Sequence, residues 1–178
     1  MVLTGKEGKG CPPPSGIGCP PPAAVLLLGS NAGRRVRTLR EAVDRLGRES
    51  TVLAVSRLYS SAPHGRPHQP WFLNQAVRIA ARQSPEELLD LAKRMERDAG
   101  RRPGGRWGPR PLDVDIVLYG EIVVARPHLA IPHPAVAGRR FCLLPVAEVA
   151  PDAAVPPGGR TVSQLLASCG DPLEVTAV

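Results

Sequence analysis

The sequence predicts an α+β domain of ferredoxin-like type, with a βαββαβ core, a mostly antiparallel sheet and helices packed on one face. Three observations predict it. Short apolar or β-branched runs alternate in the required order with two segments whose apolar residues recur at helical spacing. Gly and Pro clusters punctuate the boundaries between them. The chain has 178 residues and is 43% apolar, enough for one substantial core, which must be built from Ala, Val, Leu and Ile because aromatics are only 3%.

Residues 1–22, with two triple-proline blocks, cannot bury enough apolar surface to offset ordering and are expected to form a flexible or polyproline-like extension. A single domain is expected over 23–178. It opens with the strand "AAVLLLGSN", followed by a helix carrying Val36, Leu39, Val43 and Leu46 on one side and stopping at Gly47. "TVLAVSRLYSS" reads as one β-branched strand, "APHGRPHQPW" as an irregular loop and "FLNQAVRIAA" as a third strand. Ser84, Pro85 and Glu87 form a capping box with proline at the first helical position. Leu88, Leu91, Ala92, Met95 and Ala99 give that helix its buried stripe, and Gly100 closes it. "PLDVDIVLYG" is the fourth strand, and "EIVVAR" is expected to pair with it as a hairpin across Tyr119–Glu121. "FCLLPVAEVAP" is apolar but broken by Pro145, and Thr161–Ser168 reads as a short capped helix. An extra C-terminal hairpin and short helices thus complete the core.

The formal net charge is +7, almost all of the basic residues being arginine. Arginine keeps its charge and forks onto phosphate oxygens, which suits an anionic partner: nucleic acid, a nucleotide or a membrane surface. The same abundance of Ala, Arg, Gly and Pro also follows from coding bias, so charge alone does not choose. Cys11, Cys19, Cys142 and Cys169 form no C-x-x-C pair and read as reduced thiols of a cytoplasmic protein. No apolar run reaches the length of a membrane span, and the first residues lack the order of a secretion signal.

Asp113 and Asp115 stand two apart in an apolar strand, so they share one face while Leu112, Val114 and Ile116 take the other. Strand rise separates their backbone positions by about 6.5–7 Å. Carboxylates at that spacing can converge on a divalent cation, and magnesium commonly takes one or two carboxylates plus phosphate oxygens and waters. The plainer alternative is a pair of solvated aspartates on a wet strand face. Arg101, Arg102, Arg106 and Arg110 crowd the preceding Gly/Arg loop, and carboxylates with arginines around a polyphosphate describe a phosphoryl-transfer site. Neither a Walker loop nor the protein-kinase motifs occur. His64 and His68 lie four apart, but Pro63, Pro67 and Pro70 forbid the helix a metal pair at that spacing needs.

"LLLGSN", "FLNQAV", "RWGPRPLDVDIVLYG" and "IPHPAVAGRRFCLLPVAEVAP" occur in the order and near the spacing of the 6-hydroxymethyl-7,8-dihydropterin pyrophosphokinase family, which the chain resembles from about Val25 to Leu166. The resemblance implies transfer of the terminal pyrophosphoryl group of ATP to the pterin hydroxymethyl oxygen, in folate biosynthesis; a cytoplasmic monomer is expected. It implies ATP and the dihydropterin as substrates, with neither nucleic acid nor membrane as a partner. Asp113 and Asp115 would hold two Mg²⁺ ions; Arg101, Arg102 and Arg110 would be catalytic. Ser61, Phe72, Asn74, Trp107 and Phe141 match pterin-pocket positions, and Glu96, Arg110, Ile116, His133 and Arg139 match positions on the ATP side. Phe72 stands where tyrosine is usual, Ser61 where threonine is commoner, and Lys93 where glutamine is expected. Physical chemistry agrees in part: Trp107 and Phe141 could sandwich a flat pterin, and Asn74 offers both donor and acceptor to its amide-like edge. The rival reading is a basic RNA-binding module of RRM type, which shares the element order. It needs aromatics on the central strands, and only Phe72 is available there. A metal-dependent nuclease would need an acidic cluster beyond the pair.

Overall fold

A computed structural model describes residues 21–63, 69–101 and 108–178. The expected extension therefore lies almost wholly outside the described residues, as do His64, His68, Arg102, Arg106 and Trp107.

The elements are β1 (Ala23–Ser30), α1 (Arg35–Glu49), β2 (Thr51–Val55), β3 (Tyr59–Ser61), β4 (Phe72–Ala80), α2 (Pro85–Asp98), β5 (Asp113–Tyr119), β6 (Val124–Arg126), β7 (Leu129–Ile131), α3 (Arg140–Val149), β8 (Ala154–Val155), β9 (Arg160–Thr161), α4 (Val162–Ala167) and β10 (Val175–Ala177). The main sheet runs β10-β3-β4-β1-β5, with β2 also on β4, and every pairing is antiparallel. With β2 and β3 counted as one broken strand, this is the expected ferredoxin-like order.

β1 is apolar from Ala23 to Leu28 because both faces are covered there. Ala24, Leu26 and Leu28 pack with Leu39, Ala42 and Leu46 of α1 and with Leu88, Leu91, Ala92 and Met95 of α2. Val25 and Leu27 pack instead with Cys142, Leu143, Val146 and Val149 of α3. The two core helices thus share one face as predicted, and α3 is a C-terminal addition to the other. α2 starts at the Ser84 capping box, where Oγ accepts from the Glu87 N–H and the Glu87 carboxylate accepts from the Ser84 N–H. Thr161 and Gln164 form the same device at α4.

Four expectations need correction. The run 51–61 is two strands, because the Ser56 hydroxyl accepts the Ala76 N–H in place of a carbonyl while the Ser56 carbonyl accepts from Gln75 Nε2. α1 continues past Gly47 to Glu49, since Gly47 sits over Val52 without a positive φ and nothing there turns the chain. "EIVVAR" does not pair with β5: Gly120 turns at φ +51°, donates to the Ala23 carbonyl and sends the chain away, so β6 pairs only with β7. Finally, 140–149 is helical through Pro145. The lost N–H removes one bond of the helix, to the carbonyl of Phe141, while four apolar side chains of α3 gain burial against the sheet.

Candidate active site

β5 forms one end of the sheet, and its alternation is as expected: Val114 and Ile116 are buried against the α1/α2 layer while Asp113 and Asp115 face the other side. α3 covers only part of that side. Between its N-terminal end and the end of the sheet lies a cavity of about 490 Å³. Gly29 and Leu27, which pair with Asp113 and Asp115, form its floor. A Cβ at Gly29 would sit 3.5 Å from Asn74 Oδ1, 3.7 Å from Asp113 Cβ and 3.8 Å from the Phe72 ring. Glycine here lets three side chains from two strands close around one open point.

One wall is formed by Phe72 and Asn74 of β4 with Ser61 of β3. Asn74 is 3% exposed and donates from Nδ2 to Ser61 Oγ at 2.8 Å, which fixes the amide plane. The opposite wall comes from His133, Arg139 and Phe141. His133 uses Nδ1 to accept the Ala135 N–H, aiming Nε2 to 4.0 Å from Asp115 Oδ1. The Arg139 guanidinium lies 5.6 Å from the Phe141 ring centroid.

The two aspartates differ electrostatically. Burial alone would raise Asp113, but the charges of Arg110 and Arg101 and the hydrogen bonds they donate hold its carboxyl below the usual range. Arg101 donates to Asp113 Oδ1 at 2.6 Å, and Arg110 bonds the other oxygen. Among the described residues Asp115 has no such arginine partners. Burial, then the charge of Asp113, pushes it up to about 6, with His133 and Lys93 offsetting part of the effect. A carboxylate held against both burial and a like charge is a place where a cation is wanted. The donors are oxygen only and face open space, which fits a hard divalent ion whose remaining ligands come from phosphate and water. Among the described residues no group of three or more His, Cys, Asp or Glu could hold a metal by itself.

Not every predicted residue reaches the cavity wall. Glu96 is 3% exposed beneath it, accepting from Val114 N–H at 3.0 Å and from Lys93 at 3.0 Å, and pairing with Arg101 at 2.6 Å. It caps the free edge of β5 and ties Arg101 to Asp113. The Ile116 side chain is 4% exposed in the core on the far face, so only its main chain can meet a ligand. Strand alternation points those main-chain groups to the same open edge as the N–H of Val114.

The profile of the 7,8-dihydro-6-hydroxymethylpterin-pyrophosphokinase family matches residues 25–151. The chain belongs to that family. It is 40% identical over 144 residues to the 2-amino-4-hydroxy-6-hydroxymethyldihydropteridine pyrophosphokinase of Pseudomonas aeruginosa, covering 80% of this chain and 88% of the relative. It is 41% identical over 128 residues to the Bacillus subtilis protein of the same name, covering 71% and 77%. The mitochondrial folate synthesis bifunctional protein of Arabidopsis thaliana is 44% identical over 126 residues, 70% of this chain but 23% of that longer one. In fold, the chain is similar to the crystal structure of Plasmodium falciparum HPPK-DHPS with pteroate, at 14% identity and a TM-score of 0.64. That match covers 82% of this chain and spans 42% of the Plasmodium one.

Within the pyrophosphokinase chain, three contributors escape a reading of the sequence. Asn31 is 1% exposed and exchanges two hydrogen bonds with the main chain of Arg110: its Oδ1 accepts from Arg110 N at 2.7 Å, and its N–H donates to Arg110 O at 3.0 Å. It is legible only as the last letter of "LLLGSN". Gly29 could have been suspected from a glycine ending an apolar strand. Asp171, which accepts from Arg139, has no local signal at all.

Proposed function

We infer that this chain transfers the pyrophosphoryl group of ATP to the hydroxymethyl oxygen of 6-hydroxymethyl-7,8-dihydropterin, leaving AMP and the pterin diphosphate. The observation that carries this reading is the Asp113–Asp115 pair facing an open cavity whose opposite walls present Phe72, Asn74 and Phe141. Asn74 reads the amide-like edge of the pterin while Phe72 and Phe141 contact its faces, joined by Trp107 from outside the described residues. Arg110, His133 and Arg139 bind phosphate oxygens, and the main chain of Ile116 meets the base at the sheet edge. Asp113 and Asp115 hold two Mg²⁺ ions, which when bound neutralise polyphosphate charge and acidify the attacking hydroxyl.

The pterin oxygen forms its bond to the β-phosphorus, the bridge to the α-phosphate breaks, AMP leaves, and the hydroxyl proton passes to solvent. Arg101 and Arg110, which neutralise Asp113, sit where they can exchange that partner for phosphate oxygens, with Arg102 supplying a further cation. No side chain need act as general base: orientation and preorganised charge supply the acceleration. On this reading the protein acts as a monomer in the cytoplasm. An RRM-type reading finds no support, because the sheet face that such a module offers to bases is partly covered by α3 and its open part carries the Asp113–Asp115 pair. No helix among the described residues is long and apolar enough to cross a membrane.

Purified chain incubated with Mg²⁺, ATP and the pterin should give AMP only when the pterin is present, and none in EDTA. Formation of ADP would overturn the reaction, and pterin-independent AMP would overturn the acceptor.

A further inference from the structure

We propose that Asp171 is a positioning residue for the nucleotide side of the cavity, so that the segment following α4 belongs to the catalytic unit. This rests on the reading that Arg139 meets ATP. The family profile ends at residue 151, so the segment lies outside it.

α3 begins at Arg140 with Arg139 as its N-cap, and no side-chain hydrogen bond from Arg139 caps it. The capping anion arrives from Asp171 instead. Its Oδ2 accepts from the Arg140 N–H at 3.0 Å and from Arg139 Nε at 2.9 Å, and its Oδ1 accepts from the Leu173 N–H at 3.2 Å. Burial would raise this carboxyl, but the hydrogen bonds from Arg139, Arg140 and Leu173 outweigh it and hold it below its ordinary range. The Asp171 side chain is only 8% exposed, so these bonds compete little with water.

One carboxylate thus fixes both the first turn of α3 and the direction in which Arg139 enters the cavity. Two residues on, Leu173 lines that cavity. Then Glu174 accepts from the Ala62 N–H at 3.2 Å, and Val175 pairs with Ser61, whose hydroxyl holds Asn74. The segment therefore spans from the Arg139 wall to the Ser61 wall. An arginine side chain loses considerable rotamer freedom on meeting a phosphate, and a charge-assisted bond at Nε removes part of that freedom beforehand. A cap alone would stabilise α3 without touching ATP affinity, and that difference makes the proposal testable.

The full chain is titrated calorimetrically with Mg²⁺ and α,β-methylene-ATP, in which the bond broken during transfer is blocked. Asp171→Asn should weaken binding about tenfold, the scale of one charge-assisted hydrogen bond. Arg139→Ala should weaken it at least as much, and the double variant no further than Arg139→Ala alone. In turnover, Asp171→Asn should raise KM for ATP while leaving KM for the pterin unchanged. Should Asp171→Asn fail to fold, Asp171→Glu, which keeps the charge but shifts it by one methylene, is read by the same criteria. Wild-type affinity in the Asp171 variant, even with a lowered Tm, would reduce Asp171 to a helix cap and overturn the proposal. Additive losses in the double variant would overturn it as well. If the wild type binds the analogue yet makes no AMP, the proposed reaction falls while the titrations still decide the coupling of Asp171 to Arg139. A wild type that does not bind the analogue ends both.

Discussion

The two faces of the main sheet are built from alternate residues of the same strands, yet only one is packed shut. Toward α1 and α2, β1 presents Ala24, Leu26 and Leu28, all 0% exposed, and β5 presents Val114 and Ile116. Toward α3, the same strands present Leu27 and Gly29, then Asp113 and Asp115. The first face is satisfied by its own helices. The second is half-covered by a shorter helix, and what remains is a cavity with a glycine floor, like charges and an elevated Asp115. On the proposed reading the fully packed face serves stability alone, and the half-covered one adds the chemistry beside a second core, a backbone's width away.

Crossing that boundary by substitution sharpens the contrast. Asp115→Ala should fold normally and lose at least about three orders of magnitude in AMP formation, in the range for removal of central electrostatic stabilisation. Near-normal turnover would end the metal assignment. On the opposite face, Leu26→Ala should cost about 2–5 kcal/mol in denaturant unfolding, yet leave turnover per folded molecule unchanged. A rate that fell without loss of stability would show the faces to be coupled. Gly29→Ala should leave circular dichroism unchanged, since a Cβ there meets only ordinary contacts, and raise KM for the pterin about tenfold by filling the floor. An unaltered KM would move the pterin elsewhere.

The smallest effect concerns pH. The Asp115 carboxyl titrates at about 6 in the fold against 3.8 for its ordinary value, so the folded chain binds this proton more tightly than the unfolded one. The resulting penalty is absent below the unfolded value, grows as pH rises toward 6 and is complete above it. Asp115→Asn should therefore raise Tm at pH 7.5 and leave it nearly unchanged at pH 4. The side chain is one-third open to solvent, which reduces the gain to about 1 kcal/mol, a few degrees. Equal Tm values at both pH values would show that Asp115 carries no such strain.

Much of this was legible beforehand for definite physical reasons. The period of two placed Asp113 and Asp115 together and Ile116 opposite them, and the Ser84 box fixed where α2 starts. α3 was obscured because proline is read as a breaker, whereas one lost hydrogen bond is small beside the burial of Cys142, Leu143, Val146 and Val149. The hairpin expected on β5 failed because the free edge is met otherwise, by Glu96 at Val114 and by the His133 N–H at the Val117 carbonyl. Glu96, Asn31 and Asp171 all serve partners distant in sequence, and no local pattern reports such pairings.

The sequence by itself determined which side chains share a strand face, where the α2 and α4 caps fall and which family the motifs resemble, because these follow from local periodicity and from short contiguous runs. Only the tertiary structure decided that Gly29 lies between Asn74 and Asp113, that Arg101 bridges Glu96 to Asp113, and that Asp171 reaches Arg139. Those are contacts between elements, and they come into being only when burial of the two apolar layers fixes where each strand and helix end is held.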